Sequence, residues 1–174
     1  MTARAFRRLL DVCSRRRRRR SLPLEQTIPL QLAGLTRLPR VEETGEKEVV
    51  ERFYREAISG RDVDACDRLL TEDFVHNGEA RGREGQKGAV EYFLAAFPDL
   101  EHEILLILGE DDLVAAHQRW AGTHGGEFLG FAPTGRRVEF TSTAILRVAD
   151  GLIAEAWDEL DSGAIAAQLG PSAA

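Results

Sequence analysis

At Glu101 the apolar residues of this 174-residue chain change their spacing, and that change constrains the fold more than any other feature. Before it the period is helical. Lys47 to Ser59 carries Val49-Val50, Phe53-Tyr54 and Ala57-Ile58, the i, i+3, i+4, i+7, i+8 stripe of an amphipathic helix. Gly60 is its expected stop. Asp62 is expected to N-cap a shorter helix that turns Val63, Cys66, Leu69 and Leu70 to one side. Phe74-Val75 opens an extended piece that ends at the turn signal Asn77-Gly78. Gly85 to Phe97 reads as a third helix, with Val90, Phe93, Leu94 and Phe97 buried, and Pro98 ends it. After Glu101 the period is two. Ile104–Leu108 and Leu113–Thr123 flank a turn at residues 109–112, and Val138–Val148 and Leu152–Leu160 flank Ala149-Asp150-Gly151. A last short helix spans Ser162–Leu169. Helices followed by a run of strands predict an α+β fold, with N-terminal helices packed on one face of a curved antiparallel sheet.

Charge divides the chain into unequal parts. Residues 1–40 hold 11 Lys/Arg against 2 Asp/Glu, with six consecutive arginines at Arg15–Arg20 and prolines at 23, 29 and 39. A self-repelling, proline-broken segment of this kind cannot bury enough apolar surface to fold alone, so it reads as a disordered basic leader. A transit peptide, a nucleic-acid arm and translation from upstream of the true start are its other readings. Residues 41–170 form the expected folded domain, and 171–174 a tail. From Val41 onward 12 basic residues face 27 acidic ones, a balance that repels nucleic acid and anionic membranes and suits a neutral, weakly polar ligand. No apolar run approaches the ~20 residues of a spanning helix. Two cysteines, Cys13 and Cys66, imply no disulfide framework, and a reducing cytoplasm is the default expectation.

Alternation assigns the strand faces. Val138, Phe140, Ser142, Ala144, Leu146 and Val148 share the apolar, inward face of their strand. In the last strand Ala154, Ala156, Asp158 and Leu160 share a face, so Asp158 is the one acid on an apolar surface. A carboxyl so placed is the kind of group general acid–base catalysis uses, although a sheet-edge acid accepting hydrogen bonds from a loop has the same pattern. Val114, Ala116, Gln118 and Trp120 form the inward face of another strand, with Gln118 as a hydrogen-bond partner and Trp120 as either pocket wall or core. His117 falls on the outer face. His76 and Asn77 end the first extended piece near the helix-to-sheet junction. There either could steer a substrate carbonyl, Asn77 being equally a turn residue.

The loop from Gly122 to Arg137, Gly-Thr-His-Gly-Gly-Glu-Phe-Leu-Gly-Phe-Ala-Pro-Thr-Gly-Arg-Arg, is long for a hairpin. Its glycines permit tight bends, and Phe128, Leu129 and Phe131 are expected to fold over a pocket mouth as an apolar lid. His124 is either a ligand contact or a structural hydrogen bond that fixes the loop. The zinc-protease, Walker, dinucleotide-binding and serine-hydrolase motifs are all missing. Asp111-Asp112 reads as a turn and Asp161 as a helix cap, which leaves no expected metal site. A ketosteroid isomerase-like site is disfavoured, because Tyr54 and Tyr92, the only tyrosines, lie on helices and no second inward carboxylate is evident.

The Gly122–Arg137 run, followed by Trp157-Asp158, resembles the SnoaL-like polyketide cyclase (ester cyclase) family of the nuclear transport factor 2-like superfamily. The resemblance covers roughly Lys47 to Gly170 and implies a cone-shaped α+β fold and cofactor-free intramolecular aldol ring closure of a polyketide ester. By position it gives the acid–base role to Asp158. The family's polar partner on the adjacent strand falls at Ala144 here, and His117-Gln118 stands where the family often has Arg-Trp. The expected catalytic set is Asp158, His76 and His124. The expected binding set is Asn77, Gln118, Trp120, Phe128, Phe131, Phe140, Ser142 and Ala144, acting on a small-molecule substrate without cofactor or metal. A homodimer joined through the outer sheet face is expected, around His117, Arg119, Thr141, Thr143 and Trp157. A non-catalytic binding or dimerisation module of the same fold is the alternative.

Overall fold

The computed structural model describes residues 45–170. The leader at 1–40 and the tail at 171–174 lie outside the described residues. Helix α1, Gly45–Phe53, continues without a break into a π-helical segment, Tyr54–Ser59. The apolar stripe is two residues wide at each turn, and the wider segment keeps Phe53, Tyr54, Ala57 and Ile58 all buried. Gly60 ends the helix as expected, in right-handed geometry, its N–H donating to Arg55 O. Asp62 does not cap α2, Ala65–Leu69. Its carboxylate instead pairs with Arg68 Nη2 at 2.6 Å. Strand β1, Leu70–His76, turns through Asn77 (φ 49°) and Gly78 (φ 79°) into the two-residue β2, Glu79–Ala80. Positive φ at both central residues is the turn type that Asn-Gly favours. Helix α3 is longer than the periodicity predicts, Gly82–Ala96.

Four long strands complete the sheet: β3 Glu101–Glu110, β4 Leu113–Thr123, β5 Arg137–Ala149 and β6 Leu152–Leu160. Helix α4, Ser162–Leu169, closes the domain, and Asp161 Oδ1 caps it by accepting from Ala164 N at 2.8 Å. The strand order is β2-β1-β6-β5-β4-β3. β3 to β6 form an antiparallel meander as expected, but β1 joins β6 in parallel, so the sheet is mixed. Parallel neighbours need a long crossover, and here the whole meander supplies it. That one pairing brings the end of β1 beside the end of β6.

The helices cover one face of this sheet. Buried positions alternate along β4 and β5 as the sequence predicts. In β6 the register shifts between the Arg147–Glu155 and Val148–Ile153 pairs. Ala154 is the extra residue of that bulge, so Ile153, and not Ala154, joins Ala156 in the core.

The glycine-rich loop is held by close approach to the end of α3. Gly125 N and Gly126 N both donate to Ala96 O, at 2.9 and 3.1 Å. A Cβ on Gly126 would lie 2.6 Å from Ala95 O and 2.9 Å from Ala96 Cα, both backbone atoms that cannot move aside. Gly126→Ala is therefore expected to destabilise the fold by about 1–3 kcal/mol, the usual cost of overpacking. Gly88→Ala, with open space around it within α3, should instead be neutral or stabilise by about 0.5–1 kcal/mol. Urea unfolding of both variants checks the pair.

Candidate functional site

Between the helices and the inner sheet face lies a cavity of about 210 Å³. Its apolar lining comes from Phe53 in α1, Val90 and Phe93 in α3, Leu70 and Phe74 in β1, and Leu146, Ile153 and Ala156 in the sheet. A few polar groups converge on it: Tyr54, His76, Gln118, Ser142 and Asp158, with Arg81 and Gln86 from the start of α3. An apolar hollow with a small number of placed polar groups is the usual build of a small-molecule site. Among the described residues no cluster of three or more His, Cys, Asp and Glu side chains could hold a metal ion.

Asp158 is one end of an inner row formed by Ile107, Ala116, Ala144 and Asp158 on four adjacent strands. Its Oδ1 lies 2.6 Å from His76 Nε2, with the two side chains 29% and 16% exposed. Asn77 clasps the same residue from the outer side. Its Nδ2 donates to Asp158 O at 3.2 Å and to Oδ1 at 3.3 Å, while Asp158 N donates to Asn77 Oδ1 at 2.9 Å. The acid therefore does not stand among apolar groups alone. A histidine and an amide fix one carboxylate oxygen and leave Oδ2 without a protein partner among the described residues. The resemblance placed a polar partner at Ala144, on β5. Here the neighbouring histidine comes from β1, on the opposite side of β6, and Ala144 is a small floor residue directly across from Asp158.

A second polar chain crosses the cavity wall. Gln118 is 1% exposed on the inner face of β4, so both ends of its amide must be bonded. His102 Nε2 donates to Gln118 Oε1 at 2.7 Å, and Gln118 Nε2 donates to Tyr54 Oη at 3.1 Å. His102 also stacks between Tyr54 and Trp120, at 4.9 and 4.2 Å between centroids. Trp120 Nε1 donates to Ser142 Oγ at 2.9 Å. Burial pushes the Tyr54 phenol well above its ordinary value, opposed by the Gln118 hydrogen bond and helped slightly by the Asp158 charge, so it stays protonated at neutral pH.

Of the expected site residues, the structure brings His76, Gln118, Trp120, Phe128, Ser142, Ala144 and Asp158 to one cavity. Others fall elsewhere. His124 is fully buried against Phe97, its Nδ1 3.1 Å from Thr134 Oγ1 and its backbone bonded to Arg136 and Gly135. It is the loop's internal clasp and does not line the cavity. Phe140 stacks behind Trp120, a layer further out. Phe131 bridges to Phe128 within the loop, and Leu129 is exposed, so Phe128 alone of the expected lid enters the lining. Tyr54 and Arg81 also line the cavity and His102 stands behind Gln118, and none of the three belongs to the expected set. His102 had one legible signal. It sits two residues before the Ile104 strand, where alternation already points it inward.

A family model for SnoaL-like polyketide cyclases matches residues 48–169. The chain belongs to this family. Among solved structures it is similar to IdmH of Streptomyces antibioticus, a candidate polyketide cyclase, at 33% identity over 72% of this chain and 99% of that one, with a TM-score of 0.64. AclR of Streptomyces galilaeus, a candidate hydroxylase, is 30% identical over 72% and 95%, with a TM-score of 0.64. TsrD of Streptomyces laurentii is 28% identical over 75% and 98%, with a TM-score of 0.68. No curated protein matches the sequence. Among the described residues of this SnoaL-like chain no helix is long and apolar enough to cross a membrane.

Burial pulls His102 below the ordinary histidine value of 6.5, with the Gln118 hydrogen bond opposing. The folded protein thus binds a proton at His102 less readily than the unfolded chain does. Its contribution to stability is complete above about pH 6.5 and is lost as the pH falls through the lowered value. Melting followed from pH 7.5 down to about 5 should show this decline. His102→Gln, which keeps a donor and cannot titrate, should flatten it.

Proposed function

We propose that this chain is a cofactor-independent acid–base enzyme of the ester cyclase type, acting on a small, largely apolar carbonyl or ester compound. The observation that carries the reading is the fixed Asp158 carboxylate, held on Oδ1 by His76 and Asn77 inside an otherwise apolar cavity. In the proposed reaction Asp158 takes a proton from the carbon next to a substrate carbonyl. The C–H electron pair becomes the C=C bond of an enolate as the C=O π pair moves onto the oxygen. The enolate carbon then attacks a second carbonyl of the same molecule, forming one C–C bond, and the new alkoxide recovers the proton from Asp158. Nothing is oxidised or reduced. His76 and Asn77 act as positioning residues that set the direction of the free carboxylate oxygen. A candidate cyclase and a candidate hydroxylase share this fold, so the site and not the fold distinguishes the chemistry. A free, buried Cys66 suits a reducing compartment such as the cytoplasm.

We also propose a homodimer through the outer sheet face. Leu108, Ala115, Ile145 and Trp157 form one apolar row across β3 to β6, and Leu108 and Ile145 are 59% and 42% exposed. Trp157, expected as the anchor, is partly covered by the Arg147 guanidinium 5.6 Å from its ring centroid, and Arg119 is paired with Glu103 and Glu139. The leucine and isoleucine are therefore the exposed apolar part of the face.

Two outcomes are expected. In heavy water, small aryl ketones and esters should exchange the hydrogens next to their carbonyl faster with the protein than without it, read by NMR. Asp158→Asn should abolish the acceleration and His76→Ala should reduce it. Equal exchange in the Asp158→Asn variant would end the acid–base reading, and retention of ligands with no exchange would favour a binding module. For the assembly, sedimentation should show a dimer that Ile145→Lys converts to a monomer. A wild-type monomer would refute that proposal.

A further inference from the structure

The cavity holds two hydroxyl groups that each already accept a hydrogen bond. Tyr54 Oη accepts from the Gln118 amide, and Ser142 Oγ accepts from the Trp120 indole N–H. Each hydroxyl has a single proton to donate. Among the described residues neither proton meets a protein acceptor, although Tyr54 and Ser142 are only 7% and 5% exposed. The indole nitrogen behind Ser142 only donates, and the Gln118 amide presents its nitrogen to Tyr54 and its oxygen to His102. A buried hydroxyl proton without an acceptor is costly unless something in the cavity accepts it.

The sheet register places the two donors together. Gln118 and Ser142 are direct cross-strand partners, so the Tyr54 hydroxyl resting on Gln118 and the Ser142 hydroxyl lie at the same level of the wall. Asp158 lies one inward-facing level further along, where Ala144 leaves the floor low between them. From these placements we propose that Tyr54 and Ser142 form a two-hydroxyl oxyanion hole. It receives the oxygen of a ketone or ester as that oxygen becomes an enolate, while Asp158 faces the neighbouring carbon. Gln118, His102 and Trp120 are positioning residues for the hole. The assignment rests on the enolising role given to Asp158 and narrows the substrate to compounds with a carbonyl oxygen one carbon from the proton removed. A preorganised pair of donors aimed at developing charge is the usual device for stabilising such an intermediate, and it costs no reorganisation during the reaction. The high phenol value of Tyr54 fits the role, since the group must remain a donor beside an anion.

The inference is tested by binding alone, with 4-nitrophenol as probe, because its ionised and neutral forms absorb at different wavelengths. The full-length Asp158→Asn protein removes the like charge and is titrated with the probe across pH. With the hole present, bound nitrophenol should ionise at lower pH than the free phenol, by about one unit or more. In the same background Tyr54→Phe and Ser142→Ala should each lose most of that shift. The double variant should reverse its sign, since an apolar cavity without donors disfavours the anion. Thermal melts confirm that each protein is folded, and Ser142→Ala alone decides the matter if Tyr54→Phe does not fold. A bound probe that ionises at higher pH than free, a shift unchanged by both substitutions, or no bound anion at all would overturn the proposal. Turnover plays no part in the measurement, so the two readings fail separately. A working hole with no Asp158-dependent exchange means a carbonyl-binding module, and exchange without the hole means that the enolate is stabilised elsewhere.

Discussion

The buried amide of Gln118 is the constraint on which the rest of the site depends. A polar side chain fully inside an apolar wall is tolerated only when both of its ends are bonded. Meeting that condition draws His102 in from β3 and fixes Tyr54 from the π-helical end of α1. Three elements are thereby tied at one level of the sheet. The chain runs from the imidazole through the amide to the phenol, with the Gln118 nitrogen donating to Tyr54 Oη. Trp120, two residues along the same strand, does the same for Ser142. The wall therefore gathers hydrogen-bonded hydroxyls one inward-facing level from the carboxylate of Asp158.

That carboxylate depends on a different long-range event. β1 and β6 are separated by the whole meander, yet their parallel pairing sets His76 beside Ala156 and within reach of Asp158. The Asn77-Gly78 turn then ends β1 in a left-handed conformation that lets Asn77 bond both the backbone and the carboxylate of Asp158. A residue that the sequence offers equally as turn former and as substrate contact also fixes the acid. The glycine-rich loop serves the fold in a parallel way. His124 and the glycines pin it against the end of α3, and Phe128 is the part that reaches the cavity.

Most of the architecture was legible because it is local. The stripe of α1, the alternation of β4 and β5, the Asp161 cap and the turns follow from neighbouring residues, and the structure repeats them. Asp158, Gln118, Trp120 and Ser142 were legible as inward-facing for the same reason. Asp62, a local expectation, pairs with Arg68 instead of capping α2, and the other differences are non-local or one residue deep. No local pattern marks β1 as the parallel neighbour of β6, so the partner of Asp158 was sought at Ala144. The bulge at Ala154 breaks the period by a single residue and is silent in the sequence. Tyr54 was dismissed by its element, although a helix end packed on a sheet can aim a side chain into the space between them. His124, which the sequence leaves between a ligand contact and a loop-fixing bond, lies buried against Phe97 with its Nδ1 on Thr134 Oγ1.

The central claim is that one wall of this cavity receives an oxygen and its floor receives the adjacent carbon. The most direct measurement is a crystal structure of the protein with a small aryl ketone bound. The account predicts the carbonyl oxygen within hydrogen-bonding distance of both Tyr54 Oη and Ser142 Oγ, with the neighbouring carbon facing the free oxygen of Asp158. A ketone seated with its oxygen toward Arg81 at the start of α3, or toward His76, would contradict it.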